Sequence, residues 1–168
     1  MSLVLGLDVS TSCTGWCVMS DRQVIQNDSL MNGWVSLGYI HLSGFKGSFN
    51  KAQEVQNAIS VIQLKYDIKK IFIEENLQSF RTGLSSAKTL ATLARFNGIV
   101  SYLVEDQFGI EPDFINVNAA RRSVGLNLIR KSKGGAPTKE QVLDWVNTDM
   151  KSKGIIHKWP TKILKSGP

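Results

Sequence analysis

Leu3-Val4-Leu5-Gly6-Leu7-Asp8-Val9-Ser10-Thr11-Ser12 is an apolar run that stops at a carboxylate and a Ser/Thr turn. A run this short reads as a strand buried on both faces, at the centre of a sheet. A carboxylate at its end is costly unless a hydrogen-bond donor, a cation or a proton compensates it. Two readings of Asp8 stand side by side. It caps the turn by bonding backbone near Ser10, or it belongs to a metal or phosphate site.

Working outward, Cys13–Met19 returns as a second strand, residues 21–34 read as a polar loop, and Leu37–Leu42 forms a third strand. Short connections make these an antiparallel meander. His41 lies inside the third strand without a ligand cluster and reads as a surface or satisfied histidine. A helix is expected from Phe49 to Tyr66, with Val55, Ile59, Ile62 and Tyr66 at helical spacing. Lys69–Glu75 is then a strand that again ends in carboxylates. Strand, helix, strand describes a crossover onto a parallel neighbour. If that neighbour is the first strand, Asp8 and Glu74 emerge together at the carboxyl end of the sheet, where open α/β sheets bind ligands. Glu75, one residue on, points to the opposite face if the strand continues, and reads as a surface residue.

Residues 76–84 form a polar loop centred on Phe80 and Arg81, and Ser85 or Ser86 caps a long helix to Asp106. Ala87, Leu90, Ala91, Ala94 and Gly98 give that helix a stripe of small side chains suited to close packing. A fifth strand, Phe114–Val117, precedes a short helix capped by Asn118. A basic loop at 130–135 and a helix from Thr138 to Met150 complete the pattern.

The whole chain of 168 residues fits one domain with a real core. It lacks any apolar run of membrane-spanning length or secretory leader, so a cytoplasmic protein is expected. Cys13 and Cys17 on one strand would be roughly 13 Å apart, too far for a disulfide, and are expected as buried free thiols. The net charge of +6 is unevenly spread. Residues 1–116 carry 9 basic against 11 acidic side chains, and residues 117–168 carry 11 against 3. Such asymmetry suggests a polyanion, nucleic acid first, though a basic tail also serves solubility.

The order of elements is that of an α/β ribonuclease H-like fold, a five-stranded mixed sheet with three antiparallel strands and then two parallel ones, flanked by helices. Leu5–Trp16 resembles the first motif of RuvC-type Holliday junction resolvases, L-G-I-D-P-G-x-x-x-T-G. Phe72-Ile73-Glu74-Glu75 is similar to their second motif, A-I-E-Q, which matches Glu74 to the metal-binding glutamate. Asn116–Gly125, the basic loop and Lys139-Glu140-Gln141-Val142 resemble their third block. The resemblance runs in order over nearly the whole chain.

What it implies is a structure-specific endonuclease that resolves four-way DNA junctions by hydrolysing phosphodiesters with Mg²⁺ or Mn²⁺ held by Asp8 and Glu74. It also implies a homodimer on branched DNA. Arg121, Arg122, Arg130, Lys131, Lys133 and Lys139 are candidate phosphate contacts. Arg81 joins them, and Phe80 would stack on or wedge between bases, or else anchor its loop on the core. Two departures stand out. Val9 and Ser10 replace the family's proline and glycine, and residues 151–168 contain no acidic residue where the family has a late D-x-x-D or D-x-x-H helix. The expectation is therefore a nuclease domain cut short of its last motif, with two of the usual four metal ligands and weak metal affinity. Cleavage by this chain is left open between an active enzyme and one that cannot cut. The alternatives are a non-catalytic module that binds branched DNA and, further off, an actin- or sugar-kinase-like ATP-binding protein. The latter needs a second glycine-rich phosphate motif that is absent here.

Overall fold

The computed structural model describes residues 2–26, 29–75 and 87–157, with the backbone alone at 21–26 and 29–32. It divides into two compact units, Met1–Gly125 and Leu126–Pro168. The first unit contains strands β1 (Leu3–Asp8), β2 (Cys13–Gln26), β3 (Ser29–His41), β4 (Ile68–Glu74) and β5 (Asp113–Ile115). It also contains helices α1 (Ser48–Lys65), α2 (Ala87–Phe108) and α3 (Val117–Ser123).

Among the described residues the five strands form one sheet in the order β3-β2-β1-β4-β5. The β1–β2 and β2–β3 pairs are antiparallel, and the β1–β4 and β4–β5 pairs are parallel. This is the ribonuclease H-like arrangement that the order of elements implies. The strand alternation explains its sidedness. Leu3, Leu5 and Leu7 are buried with Ile71 and Ile73, and they share one core with Val55, Ile59 and Ile62 of α1 and Phe96, Val100 and Val104 of α2. Val4, Gly6 and Asp8 fall on the other face, where Asp8 is exposed.

Several expectations need correction. Most of 21–34 is strand, not loop, because β2 and β3 continue as an antiparallel ribbon to Gln26 and from Ser29. A ribbon needs only backbone pairing, which polar composition does not forbid. The small-residue stripe of α2 does not pack inside the chain. Ala87, Ala91, Ala94 and Gly98 are exposed, and the larger Phe96, Val100 and Val104 take the core side. Asn116, not Asn118, caps α3, its Oδ1 accepting from the N–H groups of Asn118 and Ala119 at 3.0 and 3.3 Å. Cys13 and Cys17 are free as expected, but Cys13 is exposed rather than buried. His41 is exposed beside Ser43, with Oγ 2.6 Å from Nε2.

The second unit is described to residue 157 and holds a short 3₁₀ turn, Lys131–Lys133, and helix α4 (Thr138–Ser152). Its basic loop is tied by Gln141. The side-chain amide accepts from Ile129 N–H at 2.8 Å and donates to Ile129 O at 2.9 Å and Ala136 O at 2.6 Å. Gly135 passes so close to Ile129 that a Cβ there would lie 2.0 Å from its carbonyl oxygen, so only glycine fits. No described helix is long and apolar enough to cross a membrane.

Trp16 of β2 faces Gly38 of β3, and a Cβ at Gly38 would meet the indole at 2.7 to 2.9 Å. The glycine is the space the ring occupies. Gly38→Ala is therefore expected to destabilise the fold by about 1–3 kcal/mol in urea unfolding, through overpacking. Gly44→Ala, where nothing lies within 4 Å of the added carbon, serves as the near-neutral reference.

Candidate active site

Leu7 of β1 pairs with Ile73 of β4, so the next residues, Asp8 and Glu74, leave the sheet side by side at its carboxyl end. The same row runs on through Gly15 of β2, opposite Asp8, and Ile115 of β5, opposite Glu74. Parallel pairing with no slip between Val4 and Leu7 brings the two carboxylates together. A shift of one residue would turn one of them onto the core face.

The backbone at both ends is held by side chains from elsewhere. Buried Thr14 closes the turn after Asp8: its Oγ1 donates to Ser10 O at 3.1 Å and accepts from Ser10 N–H at 3.4 Å. Ser10 Oγ accepts from Ser12 N–H at 3.4 Å. The Lys51 ammonium, from α1, donates to Thr11 O at 2.5 Å. These bonds close the turn with Val9 and Ser10 in it. On the other strand, buried Asn97 of α2 donates from Nδ2 to Glu74 O at 3.3 Å. Ser101 Oγ in turn donates to Asn97 O at 2.8 Å. Glu75, expected at the surface, is half-buried, and its N–H donates to Ile115 O at 2.9 Å.

Electrostatics distinguish the pair from an ordinary surface patch. Partial burial pushes the Glu74 carboxyl above the usual carboxylate range, the Asp8 charge pushes it further, and the Arg121 guanidinium partly offsets both. Asp8 itself is exposed, so the cost anticipated for burying it does not arise. Arg121 belongs to this cluster, since its charge acts on Glu74. Arg122 is exposed on the same helix. Arg130, Lys131, Lys133 and Lys139 belong to the second unit and are exposed there, the first three on the loop that Gln141 ties. Phe80 and Arg81 lie outside the described residues.

A hard divalent cation fits this donor set. Two carboxylates that raise each other's energy when ionised are relieved by a cation, and Mg²⁺ commonly uses one or two carboxylates with waters and substrate phosphates. Among the described residues no group of three or more His, Cys, Asp or Glu is gathered for a metal. Thr14, Lys51, Asn97 and Gln141 escaped the sequence reading. Thr14 and Gln141 stood inside quoted motifs, but Lys51 and Asn97 act over sequence separations of 40 and 23 residues, and no local pattern marks them.

The fold and the paired strand-end carboxylates define a chain of ribonuclease H-like architecture. Two solved structures share it over almost the whole chain. One is Thermus thermophilus RuvC, with 14% identity, a TM-score of 0.60, and coverage of 96% of this chain and 86% of that one. The other is T. thermophilus RuvC in complex with a Holliday junction substrate, with 12% identity, a TM-score of 0.61, and coverage of 98% and 86%. No protein-family model and no curated protein sequence matches the chain.

The raised Glu74 carboxyl has a consequence for stability. A carboxyl raised by folding contributes stability that is fully present below its unfolded value, near 4.5, and is lost as pH rises through the raised folded value. Without divalent cations, Glu74→Gln is expected to melt higher than wild type at neutral pH, with the difference vanishing below about pH 4. Thermal melts from pH 4 to 8 check this. A variant that melts lower than wild type at neutral pH would contradict the assignment of strain to this pair.

Proposed function

We propose that this chain is a metal-dependent endonuclease that acts on four-way DNA junctions. The observation that carries the reading is the Asp8–Glu74 pair, aligned by the parallel β1–β4 register at the carboxyl end of the sheet. The structural likeness to a RuvC bound to a Holliday junction supports the choice of substrate.

On this reading Asp8 and Glu74 hold Mg²⁺ or Mn²⁺ and are the catalytic residues. The chemistry such a cation supplies is Lewis-acid stabilisation of the phosphate charge and activation of water as nucleophile. The chain's own residues do the rest. Thr14, Lys51 and Asn97 fix the backbone on either side of the carboxylates, so that the donors are placed before the substrate arrives. Arg121 shares the carboxylate cluster and carries the positive charge that a phosphate meets there. Arg122, Arg130, Lys131, Lys133 and Lys139 contact phosphates and supply salt-dependent affinity. Phe80 and Arg81 contact the opened bases and backbone at the crossover. Residues 1–168 act as one nuclease, in the cytoplasm.

A homodimer belongs to the same reading, because a junction offers two equivalent strands to cut. The exposed row of Ala87, Ala91, Ala94 and Gly98 on α2 is a surface on which a second helix could approach closely. A second reading, a module that binds junctions without cutting, is favoured by the absence of a third metal-binding group among the described residues.

The test is binding and cleavage of a synthetic four-way junction with Mg²⁺ or Mn²⁺, against a linear duplex of matched sequence. Junction-selective binding with symmetric nicks is expected. Asp8→Asn and Glu74→Gln should each lower the nicking rate by at least about 10²-fold while leaving junction binding within a few-fold of wild type, since they remove the cation site and not the basic contacts. Selective binding with no nicks at any metal concentration would favour the binding module. Equal affinity for duplex and junction would overturn the proposal.

A further inference from the structure

The cross-strand row that contains the two carboxylates does not end at Gly15. Gly15 pairs with Tyr39 of β3, so Tyr39, Gly15, Asp8 and Glu74 stand in line across four strands, on the face opposite α1 and α2. The neighbouring row is its mirror in chemistry: Trp16 pairs with Gly38 on the helix face.

The two glycine–aromatic pairs behave differently. Trp16 lies over Gly38, within 2.7 Å of where a Cβ would stand, and its ring closes that gap. Tyr39 does not close the gap at Gly15. Among the described residues the only atom within 4 Å of a Cβ built there is Asp8 Cβ, at 3.9 Å. The Tyr39 side chain is 54% exposed. An aromatic ring opposite a strand glycine commonly folds over it, as Trp16 does. Here the ring leaves Gly15 uncovered, and a strip of backbone separates it from the carboxylates.

Its spacing suits a nucleotide. Strands lie about 4.8 Å apart, so the Tyr39 and Asp8 backbones are separated by roughly 10 Å, within the reach from a phosphate to a neighbouring base. Stacking on an exposed aromatic is the common way proteins hold an unpaired base, and glycine lets a ligand approach the backbone closely.

We infer that Tyr39 stacks on a base flanking the phosphate that a cation at Asp8 and Glu74 would bind, and that bare Gly15 forms the slot in which the intervening strand lies. The inference deepens the nuclease reading and rests on it. Tyr39 is a positioning residue, one that holds the strand in register with the carboxylates without touching the scissile bond.

The experiment uses the full chain and four-way junctions carrying 2-aminopurine at each position flanking the crossover, at equilibrium in Ca²⁺, a cation that takes the same oxygen donors. Wild type should quench the probe at one or two positions. Tyr39→Phe keeps the ring and should keep the quenching. Tyr39→Ala should lose it and bind the junction roughly tenfold more weakly, as expected for one lost stacking contact. Gly15→Val, whose Cβ has room beside Asp8, should fill the slot and lose the quenching with Tyr39 still present. Thermal melts of each variant check that the fold is retained.

Unchanged quenching and affinity in Tyr39→Ala, with wild type binding junctions selectively, would overturn the role of Tyr39 and leave the nuclease reading standing. Loss in Tyr39→Phe equal to that in Tyr39→Ala would overturn stacking. Failure of wild type to prefer the junction would overturn both.

Discussion

Two like charges are held next to one another by the hydrogen bonds of a parallel strand pair. Leu5 opposite Ile71 and Leu7 opposite Ile73 bury their side chains on one face, and that burial leaves Asp8 and Glu74 no choice but to meet on the other. Their repulsion is a standing cost to the fold, offset by apolar contacts beneath and partly by Arg121. On the proposed reading a divalent cation would relieve that repulsion. Core packing, site geometry and affinity are thus one problem in this sheet.

The bonds around the pair show how the chain fixes the backbone on either side of it. With Val9 and Ser10 where a proline and a glycine would stiffen the chain, the turn after Asp8 is instead closed by a buried threonine hydroxyl and a lysine reaching from α1. The amide of Asn97 does for Glu74 what Thr14 does for Asp8. Buried Thr14 and Asn97 are satisfied by these bonds, as no buried side-chain nitrogen or oxygen among the described residues lacks a partner. Polar groups in a core are tolerated when every bond is made.

Much of this was legible in the order of residues. Alternation in Leu3–Asp8, helical spacing through Val55, Ile59 and Ile62, and a second apolar strand ending in Glu74 are local signals that give the elements and their order. The pairing of β1 with β4 that joins the carboxylates is supplied by the sheet itself. What escaped has a physical reason. The ribbon of β2 and β3 is held by pairing between strands, which leaves no apolar pattern in 21–34. The small residues of α2 suggest one packing face, whereas burial follows the large ones, Phe96, Val100 and Val104. Lys51 and Asn97 act across the fold, so nothing near them in sequence announces the role. Tyr39 was an ordinary strand tyrosine until register placed it in line with Asp8, and Gly15 became a slot only by contrast with Gly38.

The central claim is that Asp8 and Glu74 together form a divalent-cation site. It is tested most directly by following the side-chain carboxyl carbon of Glu74 by NMR while Mg²⁺ is added, in wild type and in Asp8→Asn. The account predicts a saturable shift in wild type, a lower Glu74 pKa once Mg²⁺ is bound, and loss of the saturable shift in Asp8→Asn. No Mg²⁺-dependent change at Glu74 in wild type, or the same change with Asp8 removed, would contradict it.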